Sequence, residues 1–246
     1  DMYPRYFNTP NQVGLSKKIS ALEKSEESLI FGSGMAAIST SLLAFLSSGD
    51  HVIFQSDLYG GTRNFATEHL NAYGIEFSFA DSTSLNDFET KIKDNTKFIY
   101  LESPSNPLMK IIDLKGIAEL SKDNSIITMI DNTFASPVNQ NPILLGIDIV
   151  IHSATKYLGG HSDILAGSVS SSKKNIESVF RVGKSLGGNL SDYTVWLLER
   201  SLKTLFVRVA KQNKNANELA HYLQNHDCLN KVFYPGLENS IYHNLA

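Results

Sequence analysis

Residues 147–163 read Ile-Asp-Ile-Val-Ile-His-Ser-Ala-Thr-Lys-Tyr-Leu-Gly-Gly-His-Ser-Asp. The apolar run 147–151 has the length and β-branched content of a buried strand. It gives way at His152 to small hydroxyl residues, then to Lys156 and, three residues on, a pair of glycines. A lysine at a strand end, preceded by Ser153 and Thr155, suits an amine held beside a phosphate. A solvated lysine in a glycine turn accounts for the stretch alone just as simply, so the neighbouring sequence has to decide.

Working outward, short apolar or aromatic runs alternate with helical periods. Strands are expected at 28–31, 51–54, 75–79, 97–101, 126–130, 147–151 and 165–170. Helices are expected at 13–24, 35–46, 61–73, 85–93 and 114–122. Beyond residue 174 the chain reads as helical through 193–223, and 231–234 reads as a strand that begins something new. This alternation predicts βαβ units and a mainly parallel sheet flanked by helices, the α/β class. In such sheets ligands bind outside the carboxyl ends of the strands. Ser33-Gly34, Tyr59, Asn106, Asp131 and the Lys156 segment all fall just after predicted strands. Residues 1–12 have no period and read as an arm, 13–225 as one large domain, and 226–246 as the start of a truncated C-terminal domain.

The composition narrows the classes. The 246 residues are 42% hydrophobic and 19% charged, with a net charge of −3 and no basic run. That argues against nucleic acid and anionic membrane as partners. No stretch approaches the roughly 20 apolar residues of a membrane span. One cysteine, Cys228, permits no internal disulfide and suggests a reducing, cytoplasmic setting.

Several short motifs carry a physical reason. Phe31-Gly32-Ser33-Gly34-Met35 is a strand, a glycine turn and a helix start. Free amides at a helix N-terminus attract phosphate, and glycine allows close approach; a plain Gly-Ser-Gly helix cap fits the same residues. It is neither a P-loop nor a dinucleotide fingerprint. Asp131 closes a strand and could pair with a protonated pyridine nitrogen, keeping it charged; an Asx turn is the structural alternative. Tyr59, beside Gly60 and Gly61, could stack on a planar ring, or pack a loop. His161 and Asp163 lack the partners a metal site needs, and no metal is expected. Ser153 and Lys156 also match Ser-x-x-Lys of serine hydrolases, but the companion elements Ser-Asp-Asn and Lys-Thr-Gly are missing.

Four motifs in order resemble one family across nearly the whole chain: Tyr-Gly-Gly-Thr from Tyr59, Glu-Ser-Pro-Ser-Asn-Pro from Glu102, Asp-Asn-Thr-Phe-Ala-Ser-Pro from Asp131 and His-Ser-Ala-Thr-Lys-Tyr from His152. They are similar to the transsulfuration family of pyridoxal-phosphate enzymes. It includes cystathionine γ-synthases, cystathionine γ- and β-lyases, methionine γ-lyases and acylhomoserine sulfhydrylases. The resemblance implies the aspartate-aminotransferase-like fold, fold type I, with the C-terminal small domain mostly absent, and pyridoxal 5'-phosphate as cofactor. Lys156 resembles the lysine that holds the cofactor and shuttles protons. Asp131 resembles the partner of the pyridine nitrogen. Ser33, Gly34, Met35, Ser153 and Thr155 resemble the phosphate cradle. Tyr59 resembles the stacking tyrosine, also given acid/base work, and Asn106 the residue near the cofactor's phenolic oxygen and the substrate carboxylate. Tyr3 and Arg5 look like the pair that reaches a neighbouring subunit's phosphate, which implies a homo-oligomer, a dimer of dimers.

The resemblance further implies a small-molecule sulfur amino acid as substrate and a C–S bond made or broken at Cβ or Cγ. Three departures bear on that expectation. Family members have a segment before Tyr3, and a C-terminal domain whose arginine grips the substrate carboxylate. Cystathionine-handling members commonly carry arginine five residues after the stacking tyrosine, where this chain has Asn64, with Arg63 one position earlier. Asparagine there suggests an O-acetylhomoserine sulfhydrylase, whereas Gly61 replaces the cysteine usual in methionine γ-lyases. A non-catalytic cofactor-binding fragment is the remaining alternative.

Overall fold

A computed structural model describes residues 1–81 and 83–246. A 3-10 turn, Pro4–Tyr6, precedes α1, Pro10–Glu23. The helix therefore starts inside the stretch expected to be a period-free arm. The reason is local: Thr9 and Gln12 form a reciprocal capping box, and Pro10 sits at the first helical position, where its missing N–H costs nothing. β1 (Glu27–Phe31) leads to α2 (Gly34–Phe45), which is capped by the Ser33 side chain accepting from the Ala36 amide at 3.0 Å.

β2 (His51–Gln55) is followed by a composite helix. Its α part, α3 (Gly60–Asn64), runs into a π turn, Phe65–Leu70, and a 3-10 turn, Asn71–Tyr73. Then come β3 (Glu76–Ala80), α4 (Leu85–Glu89), β4 (Thr96–Glu102), α5 (Leu114–Asp123) and β5 (Ile127–Asp131). The short α6 (Ser136–Asn139) precedes β6 (Ile149–His152) and β7 (Gly167–Ser171). Three helices follow, α7 (Lys173–Leu186), α8 (Asp192–Leu202) and α9 (Leu205–Gln224), and residues 225–246 form turns.

The seven strands form one sheet in the order β1-β7-β6-β5-β4-β2-β3. β7 runs antiparallel to both neighbours, and the other pairings are parallel. Both faces are covered, as the continuous burial of the central strands requires. Val52, Phe54, Phe98, Tyr100, Met129, Ile149 and Ile151 pack with Ile38 and Leu42 of α2 and with Ile176 and Val179 of α7. Their alternates Ile53, Ile99, Leu101, Ile130 and Val150 pack against Phe88 of α4 and Leu114 and Ile117 of α5. A further cluster joins Leu15 and Ile19 of α1 to Leu198 of α8 and Leu205 of α9. Each such side chain contributes about 1.5–3 kcal/mol by leaving water.

Two boundaries differ from expectation. Residues 231–234 form no strand: Phe233 is exposed, and no sheet edge lies alongside to take the ladder bonds. The helix expected at 85–93 stops at Glu89, because the Lys91 and Ile92 amides turn back to the Phe88 and Glu89 carbonyls instead of continuing the helical ladder. Among the described residues, no helix is long and apolar enough to cross a membrane.

Candidate active site

A cavity of about 730 Å³ opens at the carboxyl ends of β2, β4, β5 and β6. Its walls include Ser33, Gly34, Met35, Tyr59, Glu102, Asn106, Asp131, Ser153, Thr155 and Lys156. The parallel strands place these residues together because each motif begins where a strand ends.

The wall formed by α2 is its first turn. The amides of Gly34 and Met35 precede any intrahelical acceptor and stay free for a ligand. The helix end fits against residue 153 only because residue 34 is glycine. A Cβ there would lie 2.8 Å from Ser153 Cβ and 3.0 Å from Ser153 Cα. Ser153 is fixed by its amide, which donates to Thr133 Oγ1 at 2.7 Å. Thr155 lines the cavity, but its hydroxyl bonds back to the chain, donating to the Ala166 carbonyl and accepting from the Ala166 amide. Of the two hydroxyls expected in a phosphate cradle on this segment, that of Ser153 is the free one.

Lys156 follows on a turn held by its amide to the Ser153 carbonyl and by the Gly160 amide to its own carbonyl. Its side chain is exposed, and its amine has no hydrogen-bond or ionic partner among the described residues. No bond joins Ser153 Oγ to Lys156 Nζ, so the Ser-x-x-Lys hydrolase geometry is not present. Arg208 of α9 braces this turn from behind, donating to the Tyr157 carbonyl at 2.8 Å and the Ser201 carbonyl at 3.2 Å.

Asp131 and Glu102 sit at the ends of adjacent strands, in register with each other. Their side chains therefore share a face of the sheet. Burial raises the Asp131 carboxyl above its usual range; hydrogen bonds from the Thr133 side chain and amide oppose this, and so does positive charge on His152. The Thr133 amide donates to Asp131 Oδ1 at 2.9 Å. Glu102 is raised to about 8 by burial and by the negative charge of Asp131, against one opposing bond, from the Tyr59 amide at 2.9 Å. Among the described residues, no ion pair reaches Asp131. The cavity thus holds a buried acid with no cationic partner of its own.

Tyr59 is half exposed, and its ring lies over Gly61. A Cβ at 61 would meet Tyr59 Cε1 at 2.6 Å and Met35 Sδ at 3.2 Å. Asn106 reaches the cavity from the loop after β4. That loop is tied to the loop after β2 by an ion pair between Lys110 and Asp57.

Three expected site residues lie elsewhere. Arg63 does not line the cavity. Its guanidinium stacks over the Phe79 ring at 4.3 Å and donates to the Ser56 carbonyl at 3.0 Å. Tyr3 and Arg5 are likewise outside this cavity. The Arg5 guanidinium lies 5.6 Å from the Tyr3 and Tyr6 ring centres. His161 Nδ1 bonds the Gly159 carbonyl at 2.7 Å. In the other direction, Glu102, Thr133 and Arg208 went unassigned in the sequence. Glu102 gave the same signal as Asp131, an acid ending an apolar strand. Arg208 sits in a long helix without a motif and gave none.

A mostly parallel α/β sheet whose strand ends bring together a lysine, a buried acid and a helix N-terminus defines a fold type I cofactor-binding enzyme domain. The chain belongs to the family described as Cys/Met metabolism PLP-dependent enzymes, which matches residues 1–246. It is 45% identical over 230 residues to cystathionine β-lyase MetC of Bacillus subtilis, covering 93% of this chain and 59% of that protein. It is 44% identical over 245 residues to cystathionine γ-lyase of the same organism, covering 99% of this chain and 64% of the relative. Among solved structures, cystathionine γ-lyase from Lactobacillus plantarum complexed with L-serine superposes with a TM-score of 0.95 at 37% identity, over 98% of this chain and 63% of that one. The chain thus spans less than two thirds of the length of these relatives.

Proposed function

We propose that this chain is the pyridoxal-phosphate-binding part of an enzyme that makes or breaks the C–S bond of cystathionine or a related homoserine or cysteine derivative, by β- or γ-elimination or replacement. The observation that carries the reading is the buried Asp131, which makes no ion pair among the described residues, facing the same cavity as the Lys156 amine, which has no partner among them either. The residues fit the cofactor. Asp131 offers a counter-charge for a protonated ring nitrogen. The amides of Gly34 and Met35 and the hydroxyl of Ser153 offer a phosphate cradle, Ser33 shapes it as the helix cap, and Tyr59 offers a face for the ring.

When bound, the cofactor supplies an electron sink at the substrate α-carbon. The chain supplies the rest. Lys156 Nζ holds the cofactor and moves the α-proton. Asp131 keeps the ring nitrogen charged. Tyr59 shields one ring face and can hand a proton to the leaving sulfur. Asn106 orients the substrate carboxylate at the rim. Tyr3 and Arg5, exposed on the N-terminal turn and not lining their own chain's cavity, fit a role in a neighbouring subunit's phosphate site. That supports a homo-oligomer, a dimer of dimers by resemblance. The single cysteine, Cys228, exposed and unpaired, supports a reducing, cytoplasmic setting.

One observation favours a second reading. With Arg63 held on Phe79, no cation of this segment waits beside Tyr59 for a distal carboxylate, which suits an O-acetylhomoserine sulfhydrylase. For a methionine γ-lyase the packing of Tyr59 over Gly61 is less suitable, because a cysteine at 61 needs that ring to move.

The test is direct. The protein should bind pyridoxal phosphate and turn yellow, and borohydride should fix the cofactor on a peptide containing Lys156. Labelling of another lysine would remove the assignment. Assays with cystathionine, methionine and O-acylated homoserines, with products identified, separate the two readings. For assembly, an Arg5→Ala chain mixed with a Lys156→Ala chain should recover activity, because one hybrid site is then whole. No recovery after proven subunit exchange would place each site within one chain.

A further inference from the structure

Glu102 ends β4 beside Asp131 and lines the cavity, yet none of the roles above uses it. Three contacts fix it. Its Oε1 accepts from the Tyr59 amide at 2.9 Å, its own amide donates to Gln55 Oε1 at 2.9 Å, and its strand position pairs with Asp131. Its side chain therefore ties the tyrosine-bearing loop to the end of β4, next to the strand end that carries Asp131. We propose that Glu102 is a positioning residue that anchors Tyr59 over the cofactor through its Oε1 and, within the side-by-side carboxyl pair it forms with Asp131, is the member that keeps the proton. The inference rests on the proposed cofactor binding at Asp131.

The chemistry of the pair leads there. Two carboxyls buried on adjacent strands of one sheet face do not both ionise readily, because each charge opposes the other. The surroundings decide which gives way. Asp131 is favoured as the ion by the Thr133 hydroxyl and amide and by positive charge on His152. Glu102 has only the Tyr59 amide to offset its burial. The remaining titratable neighbours do not reverse this. Tyr100, one turn of the pleat below Glu102 on β4, is buried and held neutral well above its usual range, by its burial first and then by Asp131 and Glu102. Lys156 stands across the cavity and is committed to the cofactor. A ring cation docked on Asp131 would favour that carboxylate further. Glu102 then contributes a neutral acid, and the site presents one negative charge to one cation.

The test uses the cofactor-bound protein. Wild type should show the infrared carbonyl band of a protonated carboxylic acid at neutral pH, and Glu102→Gln should remove that band. Glutamine keeps an acceptor for the Tyr59 amide without a charge, so Glu102→Gln should bind pyridoxal phosphate within about threefold of wild type in equilibrium dialysis. Glu102→Ala, which frees the Tyr59 loop, should bind about tenfold or more weakly, the loss expected for one hydrogen bond to a buried amide. No such band in wild type, or a band that survives in Glu102→Gln, overturns the assignment of the proton. Equal weakening in glutamine and alanine variants overturns the anchoring role. If Glu102→Ala does not fold, Glu102→Met, which keeps the bulk and removes the acceptor, takes its place in the comparison with glutamine. Failure of wild type itself to bind pyridoxal phosphate would count against the proposed function and is a separate outcome.

Discussion

At the residue scale, the site depends on one missing side chain as much as on the ones present. Gly34 needs no unusual backbone; what it lacks is a Cβ, which would press on Ser153 from 2.8 Å. Gly34→Ala must therefore push the first turn of α2 away from the segment before Lys156. The overpacking should cost about 1–3 kcal/mol of stability. Because the free amides move with the turn, pyridoxal-phosphate affinity should fall about tenfold or more. Denaturation midpoints and dialysis read the two effects separately, and unchanged affinity would show that the α2 amides do not hold the phosphate. Arg63 gives the opposite expectation. With its guanidinium on Phe79 and Ser56, Arg63→Ala should leave the KM for cystathionine within about twofold and cost about 0.5–1 kcal/mol of stability, as an exposed cation–π contact does. A KM rise for cystathionine but not for O-acetylhomoserine would restore it as a substrate residue. Asp131, Lys156 and Tyr59 were legible because Asp131 closes a strand and the other two each follow a strand end closely, all inside dense motifs. Glu102 carried the same mark and still went unassigned, since its role lies in a contact with a loop 43 residues away, and sequence order hides such pairs.

At the element scale, α1 is pinned to the sheet by a buried polar clamp on the face opposite the cavity. Glu23 Oε1 contacts His152 Nε2, with both side chains almost fully buried, and accepts from Asn132 Nδ2 at 3.1 Å. Asn132 follows Asp131 and His152 precedes Ser153, so the clamp fixes the ends of β5 and β6 from below. Glu23→Ala strands both partners inside the protein. It should lower stability by about 1–3 kcal/mol, the usual cost of leaving a buried hydrogen-bonding group without its partner. Glu23→Gln, which still accepts from Asn132, should lose less. Equal, small losses would show that water reaches the clamp and serves its partners. Element existence was readable from period and composition, because strands buried on both faces are short continuous apolar runs. Their ends were not. The helix after β2 changes to a π turn within residues 65–70 with no change in pattern. Residues 231–234 have strand composition but no neighbour to pair with, and pairing is decided by tertiary contact.

At the scale of the whole molecule, two buried titratable groups at opposite ends of the β2–β4 pair set opposing pH slopes. His51, buried between Thr96 Oγ1 at 2.8 Å and Ser78 Oγ at 2.9 Å, has its pKa lowered below 6.5 by burial first and then by Lys93, with Glu76 opposing. The folded state resists its protonation, so this contribution is present above pH 6.5 and is lost as pH falls below that value. Glu102 works the other way. Its folded value near 8 stands above 4.5, so the folded state holds a proton that the unfolded chain gives up. That contribution is complete below pH 4.5 and is lost as pH rises through about 8. Asp131, also raised, has the same sign. Between pH 6.5 and 8 the His51 slope has ended and the carboxyl slope remains. The cofactor-free protein should therefore lose stability steadily across that window, read as a falling denaturant midpoint at constant m-value. Glu102→Gln cannot titrate and should remove the Glu102 slope from pH 4.5 up to about 8, flattening the curve between 6.5 and 8, while leaving the limb below pH 4.5 unchanged. Two parallel curves across the window would mean that Glu102 is already ionised in the folded protein.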